Sequence, residues 1–508
     1  MRRSVPIRGL VLVGVMLSAP ALADTLREAM AKAYVTNPQL TGQRAAQRAT
    51  DETVPIARAA GLPSVSANGG YVENVLQVTG NTNGFASPDR QSTANTQLTV
   101  PVFQGGSVRN SVRAAETRVE AGRATLRGVE ADLFTSVVGA YMDVIRDEAI
   151  VGLNQQNVRV LDTNLRASRD RFQVGDLTRT DVAQSEARLA LARAQLQSAQ
   201  ARLISSREGY VQVVGTPPLV LQDPPALPNL PASPDIAVEV ALRNNPVLRA
   251  AEGQRDATRY DIAVARASRL PQVNVVIGGN YYNYLGSLGS GTGVRVGQDG
   301  TSATAGVALN LPLFQGGRPA AQVRRAEALR SQAIENVTFT ERGVIAQARS
   351  AYAVYRSSQE VIASANVAVT ANKLSLEGVR AENSVGTRTI LDILNAEQEL
   401  LNSQVTLVTA RRDAYVAGFA LLAAMGQAEA RDLGLEGGPL YDPVVNYNRV
   451  RRSISDFGGD GEPAPVGTRT TDTPAQDAAV TRPLDPALDS SVDRTPALTT
   501  GSTSPNRQ

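Results

Sequence analysis

The chain repeats itself, and any fold it adopts must accommodate the copy. The hexapeptide PVFQGG at 101–106 returns as PLFQGG at 312–317, so that Phe103, Gly105 and Gly106 stand 211 residues before Phe314, Gly316 and Gly317. The same offset relates Tyr141 to Tyr352, Gly175 to Gly386, Thr178 to Thr389, Asp181 to Asp392 and Glu186 to Glu397. Upstream the offset is 208, which takes Asn37-Pro38 to Asn245-Pro246 and Leu62-Pro63 to Leu270-Pro271. A unit of this length far exceeds the repeat of a solenoid, so the chain reads as one structural unit duplicated in tandem. The copies span residues 24–214 and 235–430, joined at 215–234 by a segment too proline-rich for helix or inner strand.

The first 23 residues carry Arg2, Arg3 and Arg8, a short apolar run, and Ala21-Leu22-Ala23 ahead of Asp24, the pattern of a cleavable secretory signal. Its loss would leave 485 residues with 48 Lys+Arg against 48 Asp+Glu, and a charge balance of zero gives no case for nucleic acid. Cys and His are both absent, which excludes disulfides, thiolate or imidazole metal sites and His-dependent catalytic triads. No cofactor is expected, and the lack of Trp argues against a carboxylate enzyme with a sugar-stacking cleft. Residues 431–456 read as a C-terminal segment, and from 457 to 508 a Pro/Thr/Asp/Ser-rich stretch without apolar periodicity reads as a disordered tail.

Within each copy the periodicity changes twice. Thr25 and Glu28 form a capping box before a helical face of Leu26, Ala29, Met30, Ala33 and Tyr34; Asn37-Pro38 interrupts it, and helix resumes toward Ala60. Alternation of period two follows. Ala94, Leu98, Val100 and Val102 interleave with Thr93, Asn95, Gln97 and Thr99, and in the second copy Val273, Val275 and Ile277 face a run from Ala303 to Leu313. Each copy therefore holds one β-hairpin, at 62–103 and 270–314, with one apolar and one polar face. Such a hairpin suits either a soluble sheet packed on a core or a transmembrane barrel, whose strands of about 9–11 residues face lipid and water alternately. Four strands cannot close a barrel, which takes about 8 or more, so the membrane reading requires several chains.

The helices favour the second reading. No proline occurs between Gly105 and Phe172, a helix of about 100 Å at ~1.5 Å per residue. After Gly175, Val182, Leu189, Leu196, Leu203 and Tyr210 recur every seven residues, and Ile393, Leu400, Leu407, Ala414 and Leu421 repeat them. A sustained heptad marks helix packed along helix, and the narrow stripe suits a thin wall wetted on both sides. The Phe-Gln-Gly-Gly junction then marks where a strand leaving the membrane becomes a helix.

At 384–400 SVGTRTILDILNAEQEL resembles the helical-hairpin tip of the TolC family of outer-membrane ducts, with QVGDLTRTDVAQSEARL at 173–189 as its partner and LPLFQGG in support. The resemblance extends to about residue 450. It implies a homotrimer of mixed α/β class: a twelve-stranded transmembrane β-barrel in outer-membrane lipid, four strands per chain, continued by a periplasmic α-helical coiled-coil barrel closed at its inner end. It further implies a passive exit duct for efflux or type I secretion, working with a periplasmic adaptor (membrane fusion) protein and an inner-membrane pump of RND, ABC or MFS type.

By matching position, the resemblance assigns Thr180 and Asp181 of the first hairpin, and Arg388 and Asp392 of the second, to the gate. Asn383 stands where a tyrosine link is expected and Asn395 where a second acid is expected, implying a weaker clasp and a less acidic ring. An Arg388–Asp181 contact between hairpins is the expected gate link. The turns carrying Val174, Gly175, Val385, Gly386 and Thr387 would dock the adaptor. A simpler account covers some of these residues: Thr178-x-x-Asp181 and Thr389-x-x-Asp392 are capping boxes, and Gly175 and Gly386 end helices. A structural or adhesive surface coiled coil is the competing function, but it leaves the duplicated hairpins unexplained.

Overall fold

The computed structural model describes residues 24–76, 88–289, 296–435 and 440–488. The leader expected at 1–23, most of the first hairpin loop and the last twenty residues lie outside these ranges. The first copy runs α1 (Leu26–Thr36), α2 (Pro38–Asp51), α3 (Thr53–Ala59), β1 (Ser64–Glu73), β2 (Arg90–Gln104), α4 (Ser107–Gln173) and α5 (Arg179–Val214). The second runs α6 (Pro234–Asn244), α7 (Pro246–Ala267), β3 (Gln272–Asn283), β4 (Asp299–Asn310), α8 (Arg318–Ser384) and α9 (Ile390–Ala424), and α10 (Pro443–Val450) follows.

The Asn-Pro motifs explain themselves locally. The Asn37 side-chain oxygen accepts from the amides of Gln39 and Leu40 at the start of α2, while its Nδ2 donates to the Val213 carbonyl at the end of α5, 2.9 Å away. Asn245 repeats both roles, capping α7 and donating to Ala424 at the end of α9. One buried side chain thus satisfies the orphan groups of two helix ends. The helix expected to resume as far as Ala60 is instead broken at Glu52, which separates α2 from α3.

Four antiparallel strands form one sheet in the order β1-β2-β3-β4, so the two hairpins lie side by side. Their register aligns the alternation: Val65, Leu98, Ile277 and Ala305 form one cross-strand row, Asn68, Asn95, Asn280 and Ser302 a row of the opposite face. Both faces of β1 and β4 are exposed, so these strands rest on no core among the described residues. This removes the soluble-sheet alternative for the isolated chain. β1 and β4 also leave open edges. Leu311 and Leu313, expected to continue β4, fall beyond its last residue, because β3 begins at Gln272 opposite Asn310 and offers no partner further on.

Gly105 and Gly106 take φ of 60° and 78°, and Gly316 and Gly317 take 58° and 81°, left-handed conformations in which the strand stops and a helix starts. Phe103 and Phe314 beside them are exposed. Beyond the junctions, α4 and α8 each run for 67 residues. The helical layer is ordered α5-α4-α9-α8, with α7 against both α4 and α8. Tyr141, Tyr210, Phe134 and Phe419 fill the main core, where α1 lies across α4 and α5 and the Tyr141 hydroxyl reaches the carbonyls of Asp24 and Gln222.

The tail departs from the sequence expectation. Residues 466–488 carry no helix or strand, yet they cross the layer: the Thr468 amide donates to the Thr36 carbonyl, Arg207 on α5 holds Asp477, Arg411 on α9 holds Asp485 at 2.8 Å, and Leu488 is buried. Composition hid this because the contacts are single acids meeting helix arginines, with no period to detect.

Candidate functional site at the helical tip

Each long hairpin ends in the same turn, built from the same residues. The Gly175 amide donates to the Phe172 carbonyl and the Asp176 amide to that of Arg171, while Gly386 and Thr387 donate to Asn383 and Glu382. These nested bonds form a Schellman ending, which requires the left-handed φ of Gly175 and Gly386. Val174 and Val385 are each 75% exposed beside them, with Thr387 also in the open. The five residues expected to dock a partner therefore lie on the outermost surface of the two turns.

The following helices begin with closed capping boxes. Asp181 accepts from the Thr178 amide at 2.9 Å and from its hydroxyl at 2.7 Å, and the Asp181 amide donates back to that hydroxyl oxygen. Asp392 and Thr389 repeat the arrangement at 2.9 and 2.8 Å. These hydrogen bonds hold both carboxyls below the ordinary aspartate value. The capping account of the two aspartates is therefore realised in the fold.

Arg388 does not reach Asp181 within the chain. Its Nε donates to Glu382 of its own hairpin at 2.7 Å, and the Arg388 carbonyl accepts from Asn383 Nδ2 at 2.7 Å. Within the chain Arg388 braces its own turn, because Glu382 stands six residues before it at the end of α8. Thr180 is exposed on the first turn of α5.

The links that do join the two hairpins pair Asn395 and Glu397 with residues the sequence reading did not single out. Arg188 on α5 donates to Asn395 Oδ1 on α9 at 2.7 Å. Two residues further along α9, Glu397 pairs with Arg380 of α8 in the same hairpin at 2.5 Å, 5% and 11% exposed, and Asn164 on α4 of the other hairpin donates to the same Glu397 oxygen. Asn395, expected to weaken an acidic ring, instead receives a cross-hairpin hydrogen bond. The 211-residue offset does relate Glu186 to Glu397 and Arg169 to Arg380, but recurrence alone gave no sign of which copy would be buried. Among the described residues no cluster of acids could hold a metal, and no helix is long and apolar enough to cross a membrane, which says nothing of the β-sheet.

The family model described as outer membrane efflux protein matches residues 29–216 and 237–427, the two copies in turn. The outer membrane efflux protein BepC of Brucella suis biovar 1 is 34% identical over 438 residues, covering 86% of this chain and 92% of the relative. The outer membrane protein TolC of Escherichia coli is 26% identical over 482 residues, covering 91% and 96%. Among solved structures, the Campylobacter jejuni CmeC outer membrane channel superposes with a TM-score of 0.70 at 16% identity over 85% of this chain and 90% of that one, a likeness of fold. The duplicated hairpins, the long helix pairs and these matches agree: the chain belongs to the outer membrane efflux protein family and is a TolC-type protein of the outer membrane.

Proposed function

We propose that three copies of this chain assemble into a passive outer-membrane exit duct, gated at the helical tip, of a tripartite efflux or type I secretion system. The observation that carries the reading is the sheet: four strands of 10 to 15 residues, alternating in polarity, with exposed faces and open edges at β1 and β4. Pairing β4 of one copy with β1 of the next closes twelve strands, satisfies both edges and places the Val65–Ile277 face toward lipid. The helices below then form a tube of about 100 Å.

The duct makes no bonds, and its energy comes from an inner-membrane pump through an adaptor seated on Val174, Gly175, Val385, Gly386 and Thr387. Docking there biases a closed–open equilibrium of the hairpins. Thr180, Asp181, Asn383, Arg388, Asp392 and Asn395 ring the closed end. In this chain Arg188–Asn395 ties one hairpin to the other, and the Arg388–Glu382 brace keeps the second turn rigid.

Single-channel recording in planar bilayers tests the reading. Wild type is expected to give small, long-lived steps; Arg188→Ala is expected to enlarge them, and Arg388→Ala to do so less. Folded oligomer that opens no channel would sink the duct reading, and unchanged conductance in both variants would remove these arginines from the gate.

A further inference from the structure

The buried pair has a twin in the open. Arg169 on α4 and Glu186 on α5 stand 211 residues before Arg380 and Glu397 and pair at the same 2.5 Å, yet they are 54% and 50% exposed. The difference lies in what covers each pair. On α4, the face bearing Gln156, Asn157, Val160 and Asn164 lies against α9, with the first three buried and Asn164 on Glu397. Their counterparts on α8 are Val367, Ala368, Ala371 and Ser375, all exposed, Val367 at 70%.

The repeat fixes how these surfaces combine. The offset turns α4 into α8 and α5 into α9, so the α4–α9 seam within a chain corresponds to a seam between α8 of one copy and α5 of another. The layer order α5-α4-α9-α8 leaves just those two helices at its margins. We infer that the α8 face centred on Ser375 of one copy covers the Arg169–Glu186 pair of the next, in the register with which Asn164 covers Arg380–Glu397. The Ser375 hydroxyl replaces the Asn164 amide as donor to the carboxylate. Small residues at 368, 371 and 375 leave room for Arg193, which stands on α5 where α9 has Gln404. Six Arg–Glu pairs then encircle the tube above the tip, three covered from within their own chain and three by the neighbouring copy. This contact rests on the trimeric reading above.

The chain contains no cysteine, so introduced thiols report alone. The test treats the full-length detergent-extracted oligomer with a short bismaleimide. Ser375→Cys with Glu186→Cys is expected to convert most of the protein to covalent dimers and trimers, and Ser375→Cys with Ala190→Cys, which leaves the ion pair intact, to do the same. Asn164→Cys with Glu397→Cys is expected to cross-link within one chain, detected by peptide mass at unchanged monomer size. If both interchain pairs stay monomeric on denaturing gels while light scattering shows an intact oligomer, the register is wrong. Protein that is monomeric by light scattering before treatment would instead overturn the trimeric reading itself.

Discussion

α4 and α8 are copies of one helix, equal at 67 residues and launched from the same pair of left-handed glycines, yet one is a core element and the other an edge. α4 buries Leu126, Leu133, Phe134, Val137, Tyr141 and Val144 beneath α1 and between α5, α7 and α9. α8 leaves Phe339, Val354, Val367 and Leu374 exposed. The glycines tell the same story: a Cβ on Gly105 would meet Leu270 of the second copy at 2.8 Å, whereas one on Gly316 would meet nothing within 4 Å. In the proposed trimer, the repeat contact is satisfied once within the chain and a second time by the neighbouring copy. On that reading, the asymmetry of burial marks the surface that a neighbouring copy would cover.

Arg380→Ala against Arg169→Ala is the strongest way to break that comparison. Removing one partner of the buried pair is expected to cost about 3–5 kcal/mol, whereas a pair left in water is worth about 0–1 kcal/mol. If a neighbour covers the first hairpin, the two variants lower the unfolding midpoint of the intact oligomer by nearly equal amounts. A gap of about 3 kcal/mol between them would show that Arg169 stays in solvent.

The helix-ending glycines sharpen it next. Gly215 and Gly426, 211 residues apart, have φ of 87° and 70°. A Cβ on Gly426 would lie 2.6 Å from the Asn244 carbonyl oxygen, against 3.4 Å from the flexible Thr36 hydroxyl at Gly215. Gly215→Ala is expected to cost about 1–2 kcal/mol from backbone strain alone, and Gly426→Ala about 3 kcal/mol, read as denaturation midpoints. Equal losses would mean that the two helix ends are equally slack.

The smallest effect lies at the tips, where the copies differ least. Asp181 and Asp392 are held low by their threonine hydrogen bonds, so each cap contributes stability above the unfolded aspartate value of about 3.9 and loses it as pH falls through the lower folded value. Arg388 acts on Asp392 in the same direction. Amide exchange of the first turns of α5 and α9, corrected for intrinsic rate, is therefore expected to quicken only below about pH 4. Loosening near neutral pH would contradict the capping assignment.

Much of this was written locally. The four strands and their alternation, the unbroken helices, the heptads and both Thr-x-x-Asp caps were legible because each depends on residues within a few positions of one another, and the recurrence because those local motifs return at a fixed offset. The Asn-Pro motif was visible as punctuation, but its second role, donating to Val213 or Ala424, joins residues about 180 apart and has no local period. The Arg188–Asn395 link and the packing of residues 466–488 were hidden for the same reason, whereas Glu382 lies only six residues before Arg388 and was one of several acids near it. A charged residue on a helix announces its face but not which of several opposite charges will reach it.

The sequence by itself determined the repeated unit and what each segment of it would be, since glycine placement, capping and periodicity act along the chain. Only the tertiary structure decided which copy of each contact is closed within the chain and which is left at its edge. Identical motifs cannot encode that difference: it arises when two equivalent units pack side by side, and the second keeps one face uncovered.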